Sequence, residues 1–298
     1  MTWLTPDPGQ HPATRLREQL DAGADLVVPG VFNGLTALLA RKAGAQALYL
    51  SGAAFSASMG MPDVGLVTLD ELARAARQIV RVTRLPLIVD ADTGFGGALN
   101  VMRAVRELEG ARCAAVQLED QIDPKRCGHL DGKQVTSTEA FAEKVAAARS
   151  AAQQLVVIAR TDARATHGFD EAVRRGLAYR EAGADVIFPE ALETEDEFDA
   201  YARQVPGPLL ANMTEFGTGP MLTAARLFEL GYRLVIFPVS AARVAAKQVE
   251  SFYSELLRTG TQAPWLERML TREELYGLIG YDDYAELDRS LRREEPPA

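Results

Sequence analysis

Residues 123–129 read Asp-Pro-Lys-Arg-Cys-Gly-His, so Cys127 has Lys125, Arg126 and His129 within two positions of its thiol. Neighbouring positive charge favours thiolate over thiol, so Cys127 is expected to ionise more easily than a free cysteine. A thiol of that kind suits proton transfer near neutral pH, with Lys125 and His129 as tuning groups. Gly128 leaves room for backbone to approach a ligand. The plainer alternative is a surface loop with a chance cysteine among solvated charges. Matching chemistry elsewhere in the chain weighs against it.

Asp90 and Asp92 end one apolar run, and Glu119 ends another. Residues two apart on a regular strand share a face, so Asp90 and Asp92 are expected to point the same way. Three carboxylates in one place repel unless a cation lies between them. All-oxygen donors favour a hard ion, and a site with few carboxylates suits Mg²⁺. Any one of these acids alone would serve as well to cap a loop or pair with Arg160. Asp63, inside the glycine-bounded stretch 60–65, is either a turn residue or a functional group. Arg160, Arg243 and Arg272 carry the planar fork that matches a carboxylate, and Asn212 offers an amide. Of these Arg160 is best placed, because it ends an apolar run, whereas Arg243 and Arg272 have only surface context. His11 and His167 have no supporting context, Cys113 reads as core, and Trp265 reads as packing.

These groups need a scaffold that brings run ends together. One pattern recurs along the chain: a helical stretch ends in a cluster around Gly23, Gly44, Gly110, Gly183 or Gly231, and a short apolar run follows. Glycine just past a helix end takes the left-handed conformation at little cost. The runs are continuous rather than alternating, as in strands buried on both faces of a parallel sheet. Eight such strands are predicted, starting near residues 26, 47, 87, 114, 155, 186, 209 and 234. Between them, Thr68-Leu69-Asp70-Glu71 is a capping box opening a helix with Leu72, Ala73, Ala76, Ile79 and Val80 on one face. Asp170 opens another, with Ala172, Val173, Leu177 and Ala178 along one side. Eight strand–helix units predict an α/β fold, a (β/α)8 TIM barrel, with chemistry gathered where strands end. A doubly wound open sheet competes, but no glycine-rich fingerprint follows the first strand. The reading is a single barrel domain over residues 1–298, with 252–298 a helical C-terminal extension.

The 298 residues are 47% hydrophobic and 24% charged, the profile of a globular protein with a sizeable core. Net charge is −9 and no long basic run is present, which argues against nucleic acid as a partner. No uncharged apolar run approaches the roughly 20 residues of a membrane span, and residues 1–10 hold no signal-peptide core. Two cysteines, Cys113 and Cys127, give neither a disulfide framework nor a spaced metal set. A cytoplasmic setting with no membrane partner is expected.

With these residues in view, the chain resembles the isocitrate lyase and phosphoenolpyruvate mutase superfamily, and within it the methylisocitrate lyase branch. The resemblance spans about residues 26–291. It is carried by Tyr49-Leu50-Ser51-Gly52, by residues 89–96 (Val-Asp-Ala-Asp-Thr-Gly-Phe-Gly), by Leu118-Glu119-Asp120-Gln121 and by the 125–129 run, which marks the lyase branch. Ala159-Arg160-Thr161-Asp162-Ala163, Phe188-Pro189-Glu190-Ala191, residues 212–217 and residues 271–276 add to it.

The resemblance implies that Asp90, Asp92 and Glu119 hold Mg²⁺, and that Ser51, Gly52 and Ala53 contact a 2-oxo acid. It implies that Gly128, Arg160, Glu190, Asn212, Met213, Thr214, Arg243 and Arg272 line the substrate, a small tricarboxylate. It also implies a homotetramer whose subunits exchange a C-terminal helix. The implied reaction is a retro-Claisen cleavage of 2-methylisocitrate to pyruvate and succinate, as in the 2-methylcitrate cycle of propionate catabolism. In it Cys127 supplies a proton, and Tyr49 or Asp63 takes the hydroxyl proton. Relatives often carry glycines where this chain has Ala53-Ala54. Isocitrate, 2,3-dimethylmalate or oxaloacetate remain as other substrates, and a non-catalytic oxo-acid-binding barrel is the alternative of a different class.

Overall fold

The computed structural model describes residues 2–5, 9–126 and 132–292. The eight apolar runs form strands β1 (Leu26–Val31), β2 (Leu48–Leu50), β3 (Leu87–Asp90), β4 (Ala115–Glu119), β5 (Val156–Thr161), β6 (Val186–Pro189), β7 (Leu210–Asn212) and β8 (Leu234–Phe237). Each starts within one residue of its expected position. All pair in parallel, in the order β6-β5-β4-β3-β2-β1-β8-β7. A parallel bridge from Ile187 to Leu209 brings β6 against the start of β7. The sheet therefore curls into a nearly closed (β/α)8 barrel, which removes the open-sheet alternative.

Strand alternation splits the core into two shells. Leu48, Leu50, Leu87, Val89, Val116, Leu118 and Val157 face outward and pack with the helices. Tyr49, Ile88, Ala115, Ile158, Phe188, Leu210 and Ile236 face inward and pack on one another. The helix Pro12–Asp21 joins the inner shell through Ala13, Leu16 and Leu20, against residues at the strand starts such as Leu26, Ala47 and Leu234. It closes the lower end, so the strand C-termini form the open one.

Local signals behave as their chemistry requires, with three corrections. Helix Leu69–Thr83 opens on the expected capping box and buries Leu72, Ala73, Ala76, Ile79 and Val80. Gly23, Gly44, Gly183 and Gly231 all take positive φ. Gly110 does not: it is the last residue of helix Ala98–Gly110, and Arg112 takes the left-handed turn instead. Helix Phe169–Glu181 buries Ala172 and Val173 as expected but leaves Leu177 exposed. Its inner side continues through Arg175, Gly176 and Tyr179, because Arg175 and Tyr179 find a buried partner in Asp120. The third correction concerns the C-terminal part: helix Ser240–Thr259 runs unbroken through residue 252. Beyond it, Ala263–Arg268, Arg272–Ile279 and Tyr281–Leu291 follow as short helices. None of the described helices is long and apolar enough to cross a membrane.

Candidate active site

The inward position at the open end of each strand is where polar residues replace apolar ones. Ser51 follows Tyr49 at a spacing of two, Asp90 follows Ile88, Arg160 follows Ile158, Glu190 follows Phe188, and Asn212 follows Leu210. On β4 the inward sequence is Ala115, Gln117, Glu119. Sheet register pairs Asp90 with Gln117 and Glu119 with Arg160, so these side chains form layers above the apolar plug. Tyr49, Ser51, Ala53, Asp63, Asp90, Glu119, Lys125, Arg160, Glu190, Asn212 and Thr214 line one cavity there, together with Phe188 and residues at the end of β8.

Asp90, Asp92 and Glu119 each place a carboxylate oxygen within 4.8 Å of the others. The expected convergence holds, but not for the expected reason. β3 ends at Asp90, and Asp92 comes round through a left-handed turn with φ of 49°. Aspartate is among the residues that tolerate that conformation. The turn is pinned to β4, with Ala91 N–H donating to Gln117 O (3.0 Å) and Glu119 N–H to Asp92 O (2.9 Å). Asp90 Oδ2 accepts from the Gly52 N–H at 3.1 Å.

Lys125 is buried against this cluster, ion-paired to Asp63 and with Nζ 2.8 Å from Asp92 Oδ1. That second contact is an ion pair at hydrogen-bonding distance. Burial and then the Asp90 charge push Asp92 up to about 7. Burial likewise raises Glu119 well above the ordinary range, against the pull of Arg160. Burial opposes the charge on Lys125, but Asp92, Asp90, Glu119 and Asp63 outweigh it and raise its pKa.

Among the described residues, Glu119 Oε1 is buried without a hydrogen-bond partner. Three converging carboxylates, one with an oxygen left unpartnered among the described residues, fit a hard divalent cation.

Across the cavity, Arg160 is buried and held edge-on by Asp162, with Nε to Oδ2 at 2.8 Å and Nη2 to Oδ1 at 3.0 Å. Its Nη1 lies 3.4 Å from Glu119 Oε2. Asn212 donates to Glu190 at 3.2 Å. Tyr49 donates its hydroxyl proton to Gln117. Burial, then the Asp90 charge, raises the Tyr49 pKa well above its ordinary value, so the phenol stays protonated.

Several expected residues stand apart. Met213 is buried beside a second, smaller cavity. Arg243 projects from helix Ser240–Thr259, where Nη1 donates to Glu215 O and Oε2, both at 2.7 Å, and it stacks over Phe216. Arg272 is exposed in the first turn of helix Arg272–Ile279, which packs on helix Gly34–Lys42. The chain's own fold brings neither arginine to the cavity lining. Cys127, Gly128 and His129 lie outside the described residues. Cys113 is core, its thiol pushed up to about 12 by burial. Sequence reasoning assigned no role to Gln117, Phe188 or Asp162. For all three the signal was available, since each sits at spacing two from a residue already singled out, Glu119, Glu190 or Arg160.

Residues 16–257 match the family model for phosphoenolpyruvate phosphomutase. The 2-methylisocitrate lyase of Aeropyrum pernix is 50% identical over 293 residues, covering 98% of this chain and 95% of that one. The 2-methylisocitrate lyase of Bacillus subtilis is 50% identical over 281 residues, covering 94% and 93%. Among solved structures, a crystal structure of 2,3-dimethylmalate lyase superposes with a TM-score of 0.90 at 38% identity, covering 95% of this chain and 96% of that one.

Proposed function

Since this chain belongs to the phosphoenolpyruvate mutase and isocitrate lyase family, we propose that it is a carbon–carbon lyase cleaving 2-methylisocitrate to pyruvate and succinate. The observation that carries this reading is the cavity in which Asp90 and Glu119 meet Arg160, with the Asp92 carboxylate converging on the same two acids. Half of the aligned residues are identical to each of two enzymes named 2-methylisocitrate lyase.

The reaction is a retro-Claisen cleavage, and no oxidant or water is consumed. The substrate's tertiary hydroxyl loses its proton, its oxygen becomes the carbonyl of pyruvate, and the adjacent carbon–carbon bond breaks. The bonding electrons pass to the succinate fragment as an enolate, which a proton donor then quenches. Asp90, Asp92 and Glu119 would hold Mg²⁺, which when bound supplies polarisation of the reacting hydroxyl and its neighbouring carboxylate.

In this reading Arg160 binds a substrate carboxylate and stabilises the charge that develops on the leaving fragment. Glu190 and Asn212 fix each other, and Ser51 with the Gly52–Ala53 backbone seats the 2-oxo acid portion. Tyr49 enters as a neutral phenol and orients the hydroxyl group, which leaves Asp63, beside Lys125, as the better-placed base. Cys127 is the proton donor, and the enclosed apolar floor keeps water from quenching the enolate first.

The C-terminal helices fit a homotetramer in which neighbours cover them. Helices Ser240–Thr259, Arg272–Ile279 and Tyr281–Leu291 bury no residue in the single chain and expose Val244, Tyr253, Leu257, Tyr281 and Leu291. Light scattering after size exclusion would return four chain masses.

The test of the activity is pyruvate release from 2-methylisocitrate, isocitrate and 2,3-dimethylmalate side by side, with and without Mg²⁺. Highest kcat/KM on 2-methylisocitrate, dependent on the cation, is expected. No pyruvate from any of the three would overturn the reading.

A further inference from the structure

Arg160 has more acids around it than it needs. Asp162 takes its Nε/Nη2 edge, Glu119 Oε2 lies 3.4 Å from Nη1, and Glu190 Oε2 lies 4.0 Å from Nε. A guanidinium among three carboxylates settles on whichever holds it in the best geometry, and a two-point fork is the strongest hold. Asp162 provides that fork and is itself fully buried. Its Oδ1 also accepts from Lys133 Nζ at 3.2 Å, and its backbone N–H donates to Asp120 Oδ1 at 2.9 Å. Asp120 is anchored in turn by Thr161, Arg175 and Tyr179. Lys133 is buried too, and it follows residues 125–129 by only a few positions.

We propose that Asp162 is a positioning residue for the reaction, clamping one edge of Arg160 so that the other faces the substrate, and that Lys133 sets the clamp. The inference rests on the lyase reading given above. Asp162 touches no reacting atom. Without its fork, Arg160 would turn onto Glu119 and Glu190, withdrawing charge from the substrate and blocking two groups of the site. With Lys133 in place, Asp162 keeps a second cationic partner that fixes its rotamer and offsets its charge in a buried setting. A supporting partner of this kind typically carries 10- to 100-fold in function, and an ångström of misplacement can cost about 100-fold.

The test is a double-mutant cycle on kcat/KM, with thermal midpoints recorded in parallel. D162N and R160K are each expected to lose roughly 100-fold, and the double variant no more than about threefold beyond R160K alone. K133M is expected to lose roughly tenfold, with K133R restoring activity to within about threefold of the parent. Losses that multiply in the double variant would overturn the proposal, as would D162N retaining most of its activity. Should D162N fail to fold, the K133M and R160K pair carries the same cycle, with the same outcomes deciding it. If the parent protein releases no pyruvate, the lyase reading fails separately. The clamp is then decided by a crystal structure of K133M or D162N, in which Arg160 swings to Glu119 or Glu190; an unmoved Arg160 would end it.

Discussion

The backbone N–H of Gly52 lies 3.1 Å from Asp90 Oδ2, and a β-carbon added at Gly52 would come within 3.2 Å of that same oxygen and 3.3 Å of Asp92 Oδ1. Residue 52 therefore has to be small for the two carboxylates to converge, quite apart from any helix preference. Gly52→Ala keeps the N–H but forces the acids back by a few tenths of an ångström. Mg²⁺ affinity is expected to fall roughly tenfold, as for other residues that support metal ligands. Calorimetric titration with Mg²⁺ reads this directly; an unchanged Kd would mean the acids yield freely.

Cation binding to the folded state alone raises stability. At a Mg²⁺ concentration of about 100 times Kd the gain is about 2.7 kcal/mol. For a chain of this size that corresponds to a midpoint rise of roughly 4–5 °C in a thermal melt. The rise is expected to vanish on EDTA addition and in Glu119→Gln. Pyruvate release should follow the same dependence. A midpoint indifferent to Mg²⁺ in the parent would count against the carboxylate cluster as a metal site.

Much of this site was legible because a parallel barrel writes itself plainly. Strands buried on both faces are apolar runs, and the inward residue at each open end sits two places after an inward apolar one. Asp90, Glu119, Arg160, Glu190 and Asn212 could be found that way. Asp92 was found by an argument that did not apply, since a left-handed turn rather than strand alternation delivers it. The charged network behind the site was not legible. Asp120 meets Arg175 and Tyr179, and Asp162 meets Lys133, across separations that no local pattern encodes. The same partners explain why Arg175 displaced Leu177 from the buried side of its helix.

Lys125 and the cation would share one set of acids, which gives Lys125→Met a signature of two opposite signs. Losing a charge near the cation removes repulsion, worth at least about 1 kcal/mol at such short range. Mg²⁺ should bind roughly fivefold tighter or more. Turnover should nonetheless fall by about 100-fold, because a positive group beside the reacting oxygens is gone. Binding and kinetics measured on one preparation check both; weaker Mg²⁺ binding would show that Lys125 organises the acids rather than competing for them.

Cys127→Ser tests the proton donor. A hydroxyl is far less acidic than a thiol flanked by Lys125, Arg126 and His129, so turnover should fall at least about 100-fold. Mg²⁺ and pyruvate binding should be preserved, since neither needs the thiol. Stopped reactions analysed for pyruvate, with calorimetry for binding, separate the two. A variant that keeps most of its turnover would move the donor role to another group.

Tyr179→Phe separates the network's structural role from its catalytic one. The Tyr179 hydroxyl donates to Asp120 Oδ2 at 2.8 Å, in a setting where both residues are fully buried. Burial, then the Asp162 charge, raises the Asp120 pKa, while bonds from Asp162 N–H, Thr161 and Tyr179 hold it down. Removing one donor to a charged acceptor costs about 1.5–3 kcal/mol. That is a midpoint loss of roughly 2–5 °C in a chain of this size. Arg175 and Thr161 still donate to the same carboxylate oxygen, so Asp162 and Arg160 should keep their places. The variant is therefore expected to melt earlier while holding kcat/KM within about threefold below its transition, the opposite of the D162N pattern. Equal losses in both quantities would mean that the anchoring helix and the substrate-facing arginine form one cooperative unit.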